Sequence, residues 1–218
     1  MTMRLRRAEL KDLDAIVAIK EALPLDPRSP SRRGGFLLGC PRERYAGLIQ
    51  TAEVRIVEEN RVMGGFAIAL PNALLRTSDL WERRDLIRWH GENVEPPSDE
   101  PTAYFDQLAL RPGWPRLHGL VLALAMGRTL AESEHAHLYA TILHRPVRNE
   151  AALPLLRAVG GQAVGLVDET YDGVGPVVSE LHHVRLLEGL AAVTSTAIGM
   201  RALRTLLRVG SASGARRP

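Results

Sequence analysis

The stretch from Tyr104 to Leu124, YFDQLALRPGWPRLHGLVLAL, decides how this chain folds. Its aromatic and aliphatic opening, within Ala103–Leu110, reads as a strand. Arg111–Pro115 carries two prolines and a glycine and reads as a turn. From Arg116 the apolar residues Leu120, Leu124 and Leu130 recur at helical spacing, which predicts a helix over Arg116–Glu134. A strand that feeds a helix through a tight loop leaves the N–H groups of the first helical turn unpaired. That is an anion site suited to a pyrophosphate. A second stretch, His144–Gly160, HRPVRNEAALPLLRAVG, reads as a strand end, a helix over Asn149–Val159 begun by Asn149, and a glycine stop.

Working outward, Arg4–Ala8 alternates as a strand. Asp12 caps a helix whose apolar positions run from Leu13 to Leu23 and which Pro24 ends. Pro41–Gln50 predicts a second helix. Val54–Glu59 and Val62–Leu70 predict a hairpin around Glu59-Asn60-Arg61, and Gly64-Gly65 marks a bulge or a close backbone approach. Ser78–Trp89 is charged and helical. His137–Leu143, Gln162–Val167 and Val174–His183 are strands, and Arg185–Val209 is an amphipathic helix. Leu25–Gly35 and Gly91–Pro101 are loops, and the tail from Gly210 is expected to be disordered. This alternation predicts an α/β (α+β) chain with a mixed sheet flanked by helices on both faces.

The order and spacing of the two decisive stretches resemble the acyl-CoA-binding core of the GNAT superfamily of N-acyltransferases. Members commonly show an apolar strand, then Arg or Gln-x-x-Gly-x-Gly or Ala opening a helix. Here the strand is Leu108-Ala109-Leu110, and the loop fits as Arg116-Leu117-His118-Gly119-Leu120-Val121. The resemblance implies a mostly antiparallel central sheet and acetyl-CoA bound by these nine residues. It also implies that Asn149 contacts the pantetheine arm. The chain departs from the family at Val121, usually Gly or Ala. It departs at Leu156, where many members carry the Tyr that protonates the thiolate, and at Gly161, usually aromatic. The expected organisation is a GNAT-like domain over residues 1–184, a C-terminal helix over 185–209 and a tail over 210–218.

The implied reaction is direct attack of an amine on a thioester. An alkylamine with a pKa near about 10.4 is mostly protonated at neutral pH, so a base helps. Two side chains compete for that role. His144 ends the strand before Asn149 and titrates near about pH 6.5. Asp106 lies two residues before Leu108, and strand alternation predicts that it shares that residue's face. The oxyanion is expected to meet a backbone N–H of Leu108–Leu110. Tyr104 and Tyr139 are candidate acids in place of the missing Tyr. The rival reading is a non-catalytic CoA-binding or regulatory module on the same fold.

Composition bounds the alternatives. The chain has 218 residues, 45% hydrophobic and 24% charged, with a net charge of +3. The basic residues are almost all scattered arginines, which argues against a nucleic-acid surface. Cys40 is the single cysteine, so no internal disulfide forms; a helix-start position is expected to lower its pKa. His135, His137, His182 and His183 lack convergent partners at ligand spacing, so no metal is expected. No signal peptide or transmembrane segment is read, and the expected location is the cytoplasm. Arg83, Arg84 and Arg88 hint equally at an anionic acceptor or a solvated helix face. For the C-terminal helix three partners are open: its own domain, a second copy as a homodimer, or an anionic membrane.

Overall fold

The computed structural model describes residues 3–25, 36–91, 100–171 and 174–214. Most of the loops expected at 25–35 and 91–101 therefore lie outside the described residues, as do 215–218. The chain opens with strand β1 (Met3–Arg7), a short 3-10 turn and helix α1 (Leu13–Glu21). Asp12 stands at the head of α1, but its carboxylate does not cap it. It takes two bonds from the Arg6 guanidinium, at 2.6 and 2.7 Å, and one from the Glu9 N–H at 2.8 Å. The aspartate thus ties β1 to the start of α1.

Helix α2 (Arg42–Thr51) precedes the hairpin of β2 (Glu53–Glu59) and β3 (Val62–Leu70). Asn60 and Arg61 turn it with positive φ, 51° and 69°. The register slips at Val57/Glu58, opposite Gly64, so the bulge expected at the paired glycines is present. After α3 (Asn72–Arg76), the single helix expected over Ser78–Trp89 is instead α4 (Asp79–Glu82), a 3-10 turn and a two-residue edge strand, β4 (Arg88–Trp89). Ser78 caps α4 by accepting from the Trp81 N–H, and the extended backbone of Ile87 ends the helical run.

Strand β5 (Thr102–Leu110) feeds helix α5 (Arg116–Glu132), followed by β6 (His137–Arg145) and α6 (Leu153–Ala158). α6 starts four residues later than expected from Asn149. Pro154 is the reason: it sits in the first turn of α6. A helix begun at Asn149 would bury that ring mid-helix against a carbonyl one turn back. Strands β7 (Gln162–Tyr171) and β8 (Gly175–Arg185) complete the sheet and run beyond their expected ends. The terminal helix is two: α7 (Leu186–Thr194) and α8 (Ala197–Gly214), bent by 102°. The backbone of α8 passes Val209, where the helix was expected to stop.

The strand order is β1-β2-β3-β5-β6-β8-β7-β4. Every pairing is antiparallel except β5 with β6. One face packs Ile56, Phe66, Ile68 and Tyr104 against α1, α2 and the α3–α4 cover. The other packs Val57, Ala67 and Ala103 against Leu122, Met126 and Leu130 of α5. α8 buries Ala202 and Leu206 against Val121 and Leu124 of the same helix. Among the described residues no single helix is long and apolar enough to cross a membrane.

Candidate active site at the parting of two strands

Strands β5 and β6 pair only through Thr102↔His137, Ala103↔Leu138 and Tyr104↔Tyr139. Beyond Tyr104 they diverge, and a wedge opens between them. The Arg111 N–H bonds the Gly64 carbonyl of β3 at 2.8 Å. Strand alternation then turns the N–H groups of Leu108 and Leu110 away from β3, toward the wedge. The side chains of Leu108 and Leu110 face α5, and Ala109 faces the α1–α2 side.

Asp106 does not share the face of Leu108. The register of β3 with β5 slips between Ile68↔Gln107 and Ala69↔Phe105, leaving Asp106 as the bulged residue. The bulge breaks the two-residue alternation, which is why spacing alone misassigns it. Asp106 joins Gln107 on the α1–α2 side, where the Gln107 Oε1 accepts from the Tyr45 hydroxyl at 2.8 Å. Burial pushes the Asp106 carboxyl up to about 6, against the pull of Arg44 and Gln107 and with a further push from Glu169 and Asp79.

His144 stands on the other arm of the wedge, at a second bulge between Leu143 and Arg145. Its Nδ1 is buried and makes no hydrogen bond among the described residues. The Tyr104 and Thr141 hydroxyls hydrogen-bond each other at 2.5 Å, and burial pushes the phenol up. Tyr139 stacks on His183 at 4.7 Å, and burial pushes it up to about 12. Both phenols are thereby weakened as acids. The Cys40 thiol is raised to about 11 by burial and then by Asp106, the reverse of the expected lowering. Its residue adopts φ 57° ahead of Pro41, outside the first turn of α2.

At the start of α5 the N-cap residue is Pro115, whose side chain makes no capping bond. Arg116 is exposed there, and the His118 N–H is taken by the Pro115 carbonyl at 3.0 Å. The Leu117 side chain and half-buried Leu120 pack toward α8. Val121 is fully buried in that contact, so its bulk does not crowd the loop. Gly119 lies under β5: a Cβ there would meet Leu110 Cδ1 at 3.3 Å. The His118 ring leans on Trp114, centroids 5.4 Å apart. An uncapped helix start with an exposed arginine fits a phosphate-bearing ligand. Asn149 donates its backbone N–H to the Leu143 carbonyl at 2.9 Å, in the turn between β6 and α6.

Sequence reasoning missed Glu169, which lies beyond the expected end of β7. Its side chain is only 8% exposed. Alternation along β7 was the signal available, had the strand been continued past Val167. Arg83, Arg84 and Arg88 are engaged by acids: Arg83 with Asp79 and Glu169, Arg84 with Asp85, Arg88 with Asp168. They leave no basis for reading an anionic acceptor from the sequence.

No protein-family model matches the chain, and no curated protein matches it in sequence. Solved structures do match in fold. The ribosomal-protein-S18-alanine N-acetyltransferase from Escherichia coli is 15% identical, with a TM-score of 0.56 over 85% of this chain and 94% of its own. An N-acetyltransferase from Staphylococcus aureus Mu50 is 14% identical, with a TM-score of 0.58 over 85% and 99%. A Salmonella typhimurium structure solved with its cofactor acetyl-CoA is 15% identical, with a TM-score of 0.56 over 85% and 95%. With its mostly antiparallel sheet, one parallel pairing and the wedge where that pairing ends, this chain has the fold of the GNAT N-acetyltransferases.

Proposed function

We infer that the protein is an N-acetyltransferase that moves an acetyl group from acetyl-CoA to a primary amine by direct attack. The observation that carries this reading is the wedge between β5 and β6 with a carboxyl of pKa about 6 beside it. Asp106 is ionised at neutral pH yet basic enough to take a proton from an ammonium or an attacking amine. In this reading the pyrophosphate rests on the first turn of α5, which Arg116 opens, and the buried Val121 packs behind that turn. The strand Leu108-Ala109-Leu110 and Asn149 flank the pantetheine arm.

The amine lone pair forms a bond to the thioester carbonyl carbon, and the oxygen takes the displaced electron pair. A backbone N–H of Leu108 or Leu110 stabilises that oxygen. The C–S bond then breaks and the amine's proton passes to Asp106. The thiolate takes its proton from water, since Leu156 occupies the usual acid's place. His144 is the alternative base, on the opposite arm of the wedge.

Titration calorimetry with acetyl-CoA tests the donor site. Micromolar binding that Arg116→Glu weakens at least about tenfold supports it; no binding at millimolar acetyl-CoA would refute it. Arg116 is the better probe than Gly119, whose substitution would push α5 off Leu110. Release of free CoA on adding amines separates the enzyme from a non-catalytic CoA-binding module, which binds and releases nothing.

A further inference from the structure

Beside the paired end of β5 and β6 lies a chamber of about 70 Å³. With a water needing roughly 10–15 Å³ by the same measure, it holds roughly five heavy atoms. Much of its wall is apolar: Leu75, Leu80 and Trp81 from the α3–α4 cover, Trp89 from β4, and Tyr104 and Leu181 from the sheet. Glu169 breaks that wall. Its Oε2 accepts from the Ser179 hydroxyl at 2.8 Å and its Oε1 from the Tyr171 hydroxyl at 3.4 Å. The carboxylate is therefore held in one orientation, and a larger groove of about 610 Å³ begins at the same residue.

The charges around it do not balance. Arg83 lies 3.7 Å from Glu169 but also 3.5 Å from Asp79, and Arg44 lies 3.9 Å from Asp79. Arg44 also pulls on Asp106. Among the described residues two guanidiniums, Arg83 and Arg44, thus serve three carboxylates, Glu169, Asp79 and Asp106. The other charged side chains lining the chamber pair off, Arg84 with Asp85 and Asp168 with Arg88. Arg76 lies against the Trp81 ring, 3.8 Å from its centroid, and does not line the chamber. An excess negative charge against an apolar wall is unfavourable until a cation joins it.

We propose that this chamber binds the acceptor, with Glu169 holding the ammonium group, and that it selects a short aliphatic amine lacking a carboxylate. The hydrocarbon fills the apolar end, and the charge completes the count at Glu169. A carboxylate beside the ammonium would meet Glu169 and Asp168 within the chamber, where the arginines that line it, Arg83 and Arg84, already face acids. Binding of the amine stands alone; its acetylation rests on the transfer reading above.

The experiment is a titration followed by tryptophan fluorescence, since Trp81 and Trp89 line the chamber. The ligands are 3-methylbutylamine, L-leucine (the same body with a carboxylate) and 3-methylbutan-1-ol (the same body without charge). The amine is expected to saturate, with leucine and the alcohol weaker by at least about tenfold. Glu169→Gln should weaken the amine by about tenfold or more and leave acetyl-CoA binding unchanged. Arg83→Gln, on the exposed cover, removes a competing cation and should tighten the amine severalfold, a readout that survives if Glu169→Gln fails to fold. Leucine binding as tightly as the amine, unchanged amine affinity in Glu169→Gln, or unchanged or weaker affinity in Arg83→Gln would each overturn the proposal. Amine binding without any CoA release supports the chamber and sinks only the transfer reading. Amine acetylation at an undiminished rate in Glu169→Gln keeps the transfer and sinks the chamber.

Discussion

Asp106 carries the most consequence of any residue. Its carboxyl is raised from an ordinary 3.8 to about 6, chiefly by burial. As a base it works only when ionised, so kcat/KM should fall as pH drops through about 6. Asp106→Asn should lower kcat by about a hundredfold or more, while acetyl-CoA affinity holds. An unchanged rate would move the role to His144 or water, and His144→Ala is the paired measurement. The same shift has a stability consequence of opposite sense. The folded protein holds this proton more tightly than the unfolded chain, so the group lowers stability above about pH 6, and that cost fades toward pH 3.8. Asp106→Asn should therefore raise the Tm at pH 7.5, with the gain shrinking between pH 6 and pH 4. A constant gain across that range would mean that burial of the charge is not its cause.

At the scale of elements, the corner between α7 and α8 is set by close approach. A Cβ on Gly199 would lie 1.8 Å from the Val193 carbonyl oxygen. That oxygen is backbone and cannot step aside, so Gly199→Ala must open the 102° bend. The expected cost is about 1–3 kcal/mol, read by urea denaturation; no loss of stability would show that the corner is compliant. The link between β1 and α1 is electrostatic. The Arg6 and Asp12 side chains are 17% and 9% exposed. Burial opposes the charge on Asp12, but the Arg6 guanidinium and the Glu9 N–H hold its carboxyl below the usual range. Asp12→Ala strands a half-buried guanidinium and should destabilise by about 3 kcal/mol, read by the same denaturation. Glu58, 3.3 Å from Arg6, would take up part of that loss.

For the whole molecule, donor binding and stability are linked. A ligand that binds only the folded state at a hundred times its Kd adds about 2.7 kcal/mol. Saturating acetyl-CoA should therefore raise the Tm by several degrees, and Arg116→Glu should remove most of that shift while leaving the unliganded Tm unchanged. A shift equal in both proteins would place the donor away from the head of α5. α8 packs its buried Ala202 and Leu206 on α5, which answers one of the three partners open for the C-terminal helix. Leu187, Ile198 and Leu207 stay exposed on α7 and α8.

What the sequence determined alone was local. Aromatic and aliphatic content marked β5, alternation marked β1, helical spacing marked α5, and Asn60-Arg61 marked the hairpin; each depends on neighbours in the chain. The order of those elements was enough to expect a mixed sheet, and the resemblance to the GNAT core added that it is mostly antiparallel. Local readings failed where a neighbour in space intervened or a chain signal was overridden. Pro154 delays α6, and the bulge at Asp106 turns a carboxyl to the other face, an event that period-two spacing cannot register. Only the tertiary structure decided where β5 and β6 part, which charges surround Asp106, and that Glu169 from a distant strand joins a cavity with Arg83. Those are properties of three-dimensional juxtaposition and burial, and no spacing along a single chain encodes them.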